Sequence, residues 1–286
     1  MKLIKKVNIL IVGLGLLGGS YAKGLKKLGF EVNAITKEQS SIDYALKNNI
    51  IDYGTTEIEP QIIGKADLVI FALYPHIFID WIKNNQQHFK SGAVITDVTG
   101  VKGCIVGEIQ SILRQDVEFI AAHPMAGKEV SGVENSDDAI FKGANYIVVP
   151  TEKNTQEAIE LCLNLGEILG FKQVAVLSVE EHDKMIAFLS QLTHCIAVSL
   201  MCCNNTPGFE AYTGDSFRDL TRIAEINDEM WSELFLSNKE DLLCEMEKFK
   251  ASFDLLYEKI KTDDRKGMRE MMRLSTSRRR EFNKKA

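Results

Sequence analysis

Positive charge is in short supply in this chain: 34 lysines and arginines face 40 aspartates and glutamates over 286 residues, giving a net charge of -6 and a pI near 5.5. Nucleic acid and anionic membranes call for a broad cationic face, so neither is expected as a main partner. An anionic substrate must instead be met by a local cation. Paired cysteine spacing is missing too. Cys104, Cys162, Cys195, Cys202, Cys203 and Cys244 include no Cys-x-x-Cys, and a chain of this length has no need of disulfides, which points to reduced thiols in a cytoplasm. No stretch approaches ~20 uninterrupted apolar residues, so no membrane-spanning helix is expected. Internal repeats and low-complexity tracts are also absent. Met1 to Lys6 carries three lysines ahead of an apolar run, but no small-residue cleavage pattern follows; Val7 to Val12 flows into Gly13 and reads as a first strand, not an export signal.

What is present is enough apolar material, 45% of residues, for a core spread over roughly two domains of ~150 residues. Short β-rich runs alternate with helical ones: Val7 to Val12, Phe30 to Ile35, Leu68 to Leu73, Ala93 to Thr96, Val117 to Ala122, Tyr146 to Val149 and Gln173 to Leu177. That alternation predicts an α/β, Rossmann-type, doubly wound and mostly parallel sheet over residues 1–177. After about Ser178 strand signals vanish and the pattern becomes all-α, over residues 178–286. A loop begins near Asn204-Asn205-Thr206-Pro207. From Asn227 the chain can be helical again, with Leu242, Leu243, Met246, Phe249, Phe253, Leu256 and Ile260 making one apolar face, either packed on its own domain or forming a subunit interface. Arg278-Arg279-Arg280 with Lys284 and Lys285 reads as a solvated tail.

Gly13-Leu14-Gly15-Leu16-Leu17-Gly18 lies between a predicted strand and a helix beginning near Leu16. Its glycines permit a tight turn, close approach of a pyrophosphate and close helix-on-strand packing, while the helix start at Leu16, Leu17 and Gly18 offers unpaired N–H groups to phosphates. The acid that binds the ribose in NAD-preferring sites is missing: Thr36 and Lys37 stand there. A 2′-phosphate would therefore be tolerated, and NADP is expected to be accepted at least as well as NAD. Asp97-Val98-Thr99-Gly100-Val101-Lys102 makes a polar turn at the same sheet edge, where Asp97 is expected beside the cofactor; a helix cap and a surface charge remain the alternatives for Asp97 and Lys102. His123 opens His123-Pro124-Met125-Ala126-Gly127 after an apolar run, a place where an imidazole can take a substrate hydroxyl proton, or simply cap a turn. His182-Asp183 and His194 share approximately one helix face, but without a His-x-x-x-His or a carboxylate cluster no metal is expected. Arg218 and Arg222 are spaced i, i+4, and an arginine carried into a cleft suits a carboxylate through two parallel hydrogen bonds; pairing with Asp219 or Glu225 at the surface is the other possibility.

Taken in order, Gly13 to Gly18, Asp97 to Lys102, His123 to Gly132 and Thr221-Arg222-Ile223-Ala224 followed by Trp231 resemble the prephenate/arogenate dehydrogenase family over nearly the whole chain. The resemblance implies oxidative decarboxylation of prephenate or arogenate with NAD or NADP. It also implies a helical half that pairs two subunits into a homodimer, and sites in the interdomain cleft. His123 would bond the ring hydroxyl and Arg222 a carboxylate, with Glu129 near the cleft mouth and His194 and Asp219 lining or supporting the pocket. The chain departs from the pattern at Gln191, where a histidine is often found, and at Gly100, which removes a serine hydroxyl unless Thr99 or a water substitutes. The residues left over cannot hold a chorismate mutase or regulatory ACT domain, so feedback through such an appendage is not expected.

Overall fold

The computed structural model describes residues 7–283; the lysines before Val7, and Lys284 and Lys285, lie outside the described residues. Strands β1 (Ile9–Val12), β2 (Val32–Ile35), β3 (Tyr53–Thr55), β4 (Leu68–Phe71), β5 (Val94–Asp97) and β6 (Glu118–Phe119) form one sheet in the order β3-β2-β1-β4-β5-β6, all pairs parallel. Helices α1 (Leu16–Lys27), α2 (Gln39–Lys47), α3 (Pro60–Ile63), α4 (Pro75–Asn85) and α5 (Val106–Ile112) alternate with them. Because helices cover both faces, successive residues of β1 are all buried: Ile9 and Ile11 pack with Tyr21, Leu25 and Val32, Leu10 and Val12 with Phe71, Phe78 and Ile95. The Rossmann-type order puts the strands' carboxyl ends, and hence a ligand crevice, beside Gly13, Thr36 and the residues after Asp97.

The structure departs from the sequence expectation at the run beginning at Val117. This run is not one strand of one sheet. Ile120 still bonds the carbonyl of Ile95, but β7 (Ala121–Pro124) turns away into a second sheet, order β7-β8-β9, with β8 (Asn145–Val149) and β9 (Gln173–Val176). The β7–β8 pair is antiparallel and the β8–β9 pair parallel. His123 thus sits within a strand, opposite Ile147, rather than on a loop. Helix α6 (Gln156–Ile168) joins β8 to β9.

The helical part follows as α7 (Val179–Ile186), α8 (Leu192–Cys202), α9 (Asp215–Thr221), α10 (Asp228–Ser237), α11 (Lys239–Lys261) and α12 (Arg265–Glu281). Ser178 and Glu181 cap α7 reciprocally, and Asn227 caps α10. Between α7 and α8 the turn over Ala187–Gln191 is a π-helix, whose extra residue breaks the shared face expected of His182 and His194. The resulting run, Val179–Cys202, is long and apolar enough by length and composition to cross a bilayer, although polar residues interrupt its apolar stretches. Its His182, Asp183 and Gln191 are nonetheless buried and bonded within the protein. Two compact units result, Met1–Asn238 and Lys239–Ala286. The second is a hairpin of α11 and α12 in which Phe249, Phe253, Leu255 and Ile260 are exposed. Arg278, Arg279 and Arg280 form the last turn of α12, where cations complement the helix dipole, and not a tail.

Candidate active site

β1 delivers the chain into Gly13, whose φ is +94° and where a Cβ would lie 2.4 Å from the Ala72 carbonyl oxygen. A Cβ on Gly18 would lie 2.0 Å from the Gly13 carbonyl, so both glycines are needed to seat α1 against β1 and β4. Gly15 differs: a Cβ there would meet nothing within 4 Å, and no side chain caps the helix that starts behind it. The amides of Leu16, Leu17 and Gly18 therefore border an open cradle at a helix amino terminus, which fits the pyrophosphate of a dinucleotide. Thr36 follows β2, with its hydroxyl 3.4 Å from the Leu14 amide, and Lys37 is exposed beside it.

The turn after β5 is built around a buried ion pair. Asp97 and Lys102 are both fully buried, 2.6 Å apart. Asp97 Oδ1 accepts from the Ala122 amide, and Oδ2 accepts from the amide and hydroxyl of Thr99 as well as from Lys102. Lys102 Nζ also donates to the Ala122 carbonyl at 2.6 Å. Lys102 is therefore not a surface charge. The geometry also gives Asp97 a different job from the expected cofactor contact, because both carboxylate oxygens are enclosed and engaged: the pair grips the residue immediately before His123. Thr99, expected at the substrate, turns its hydroxyl into the same network, so it is no free donor in place of the serine that Gly100 lacks.

His123 is half-buried, and its Nδ1 lies 2.9 Å from Nε2 of His182, with the rings edge-on at 63°. His182 is fully buried, and its Nδ1 is 2.7 Å from Asp183 Oδ1. Asp183 in turn accepts the backbone amides of Lys102 and Gly103; a Cβ on Gly103 would stand 2.9 Å from the carboxylate. Burial, then the neighbouring His182 and Lys102, hold the His123 imidazole well below its usual range, so it is neutral at pH 7. Burial also lowers His182, with Asp183 opposing in part. In the sequence His182 and Asp183 stand out only as possible metal ligands; the local signal for their placement is the Ser178–Glu181 capping box, which fixes where their helix starts.

Arg222 opens a 3-10 turn and forms an ion pair with Glu129, which follows the His123-Pro124-Met125-Ala126-Gly127 segment. His194 stacks on Trp231 with centroids 3.7 Å apart, and its Nδ1 bonds the Ser190 carbonyl at 2.9 Å. Burial lowers its pKa, the Ser190 carbonyl and Glu129 oppose, and Arg222 adds to the lowering, which places all three groups in electrostatic reach of one another. Arg218 instead pairs with Asp215, and Asp219 is exposed on α9. Gln191, at the position where a histidine is often found, is a buried structural link: it donates to the Leu234 carbonyl and accepts from Asn238. Trp231, absent from the expected site residues, is held by α10 with Leu234, whose side chain lies 3.6 Å from where a Cβ on Gly100 would stand. All these side chains belong to the single unit Met1–Asn238. The thiols of half-buried Cys104 and buried Cys162, both pushed up to about 11 by burial, are unreactive at neutral pH.

Comparison with known proteins bears on the same residues. Residues 21–175 match the nucleotide-binding domain of prephenate dehydrogenase and residues 178–274 its dimerization domain. A prephenate dehydrogenase of Lactococcus lactis is 32% identical over 90% of this chain and 72% of its own length, and one of Bacillus subtilis 29% identical over 91% and 71%. The crystal structure of prephenate dehydrogenase from A. aeolicus in complex with hydroxyphenyl propionate and NAD+ superposes with a TM-score of 0.90 at 32% identity, covering 99% of this chain and all of that one.

Proposed function

The chain belongs to the prephenate dehydrogenase family, and from that premise we propose that it oxidises and decarboxylates prephenate to 4-hydroxyphenylpyruvate in tyrosine biosynthesis, using NAD or NADP. When bound, the nicotinamide ring supplies the hydride acceptor. The observation that carries the reading is His123, a neutral imidazole whose Nδ1 is engaged by His182 and whose Nε2 has no partner among the described residues.

Prephenate carries a ring hydroxyl opposite a quaternary carbon that bears a carboxylate. His123 accepts the hydroxyl proton as the carbinol carbon gives up its hydride, so the O–H pair becomes the new C=O bond. The C–CO2 bond then breaks, its electrons flow through the ring to oxygen, which takes the proton back from His123, and carbon dioxide leaves behind an aromatic phenol. Aromatisation drives the reaction, so the protein has to orient, take one proton and neutralise carboxylates. Arg222 meets a substrate carboxylate by exchanging Glu129 for it, a role suited to a guanidinium held in place by an ion pair. His194, stacked on Trp231, Asp219 and Glu129 lie around that guanidinium in space or sequence and support the pocket.

The cradle at Gly13, Gly15 and Gly18 holds the pyrophosphate, and Thr36 with the exposed Lys37 leaves room for a 2′-phosphate. A homodimer formed through the helical part is supported by the dimerization-domain match and by the exposed Phe188, Leu189, Phe217 and Leu220. A cytoplasmic location suits the free cysteines. Four assays test the reading: reduction of NAD and of NADP with prephenate and with arogenate. Turnover with prephenate is expected, with kcat/KM for NADP at least equal to that for NAD. No turnover with either substrate would refute the function, and a roughly hundredfold preference for NAD would refute the cofactor reading.

A further inference from the structure

We infer that His182 and Asp183 are positioning residues that lock His123 into the one tautomer able to act as a base; the inference rests on the prephenate-oxidising reading of this site. The argument is a count of hydrogens. Asp183 Oδ1 accepts the Lys102 amide at 2.9 Å and Oδ2 accepts the Gly103 amide at 2.7 Å, so the carboxylate is fixed as an acceptor against the turn after β5. The 2.7 Å contact from Oδ1 to His182 Nδ1 then requires a hydrogen on Nδ1. A neutral imidazole with hydrogen on Nδ1 is bare at Nε2. That bare Nε2 lies 2.9 Å from Nδ1 of His123, which must carry the hydrogen between them. His123 in its neutral form is therefore left with the Nε2 lone pair free, as proton abstraction from a hydroxyl demands. In the opposite tautomer Nε2 would present a hydrogen and could not accept one.

The chain of bonds serves the transition state too. As His123 gains the substrate proton at Nε2, its Nδ1–H becomes the donor of a charge-assisted bond to His182, with Asp183 behind it. The charged and titratable groups facing His123 from its neighbours are Lys102 and Asp97 on the β5 side and His182 and Asp183 on α7. Lys102, although paired with Asp97, opposes charge on His123. A charged His182 opposes it as well, so it is the neutral His182 ring, accepting through Nε2, that favours the imidazolium. Asp183 also fastens the Lys102 turn, whose Nζ holds the Ala122 carbonyl, so one carboxylate sets both the position of the His123 backbone and the protonation pattern of its ring.

The test compares His182→Leu, which removes the acceptor, with His182→Gln, whose amide oxygen can replace it. For His182→Leu, kcat with prephenate should fall about 10- to 1000-fold, while KM for prephenate and Kd for the dinucleotide stay within about twofold. The acid limb of the kcat–pH profile should move, because the titratable ring that faces the His123 imidazole is gone; a structural defect would lower the plateau without that movement. His182→Gln should recover most of the loss. Nitrogen-15 spectra of histidine rings supply a readout independent of turnover, with the signals assigned through His123→Asn and His182→Gln. Wild-type His123 and His182 should both carry hydrogen on Nδ1. A His123 ring protonated on Nε2 at neutral pH, or a folded His182→Leu enzyme with unchanged kcat, overturns the inference. Failure of the wild type to turn over prephenate or arogenate would refute the functional reading instead, and leave the ring spectra to decide this one.

Discussion

Lys102→Met should destabilise the protein by about 3–5 kcal/mol, the size expected when one partner of a fully buried ion pair is removed. Methionine fills most of the same space without the charge. The loss is electrostatic: Asp97 Oδ2 keeps the amide and hydroxyl of Thr99, but loses the ammonium at 2.6 Å, and the Ala122 carbonyl loses its 2.6 Å donor. Neither group can turn to water, since Asp97 and Ala122 are both inaccessible. At ~2–4 °C per kcal/mol the melting temperature should drop by roughly 10 °C. Urea titration followed by the fluorescence of Trp81 and Trp231 measures the change at constant temperature. The double variant with Asp97→Asn should be less destabilised than the sum of the two singles by about 1–3 kcal/mol, because it no longer strands a buried charge. A Lys102→Met cost below about 1 kcal/mol, the range of exposed pairs, would refute the reasoning.

Arg222→Ala should raise KM for prephenate about 10- to 100-fold with a smaller change in kcat, since it removes a charged contact to the substrate carboxylate; an unchanged KM removes Arg222 from that role. His123 and His182 both have folded pKa values below the unfolded value of about 6.5, so just below that pH the unfolded chain binds more protons. Stability is therefore lost as pH falls through about 6.5, while the kcat of the enzyme that remains folded holds, because His123 stays neutral; urea midpoints and kcat measured at several pH values between neutral and weakly acid check both. Gly100→Ser should be tolerated within about 0.5 kcal/mol, because its Cβ would meet only Leu234 side-chain carbons at 3.6 Å, and thermal melts of the variant measure this.

The dinucleotide half was legible because its physics is local: apolar runs buried on two faces, and glycines where a Cβ would collide with Ala72 or Gly13. Strand β3 was missed because it has three residues, one of them exposed Tyr53 and one Gly54. The division of the 117–124 run at Ile120 carries no local mark, since both halves are equally apolar and only partner strands distinguish them. The candidate site divides the same way. His123, Arg222 and Glu129 stood out by motif, whereas the bond from His182 to His123 spans 59 positions and follows from where α7 docks. For Lys102 the sequence leaves a surface charge and a site role equally open, because nothing in its neighbourhood announces that Asp97 and the Ala122 carbonyl will enclose it. Gln191 was visible as a departure, but its meaning, a link from the π turn to Leu234 and Asn238, required the folded chain.

The most direct test of the account is the kinetic comparison of wild type with His123→Asn on prephenate, reading reduced nicotinamide and carbon dioxide together. The account predicts one carbon dioxide per hydride transferred in the wild type, and a kcat lowered by about 10² to 10⁴ in the variant with KM little changed. A variant with wild-type kcat would contradict it.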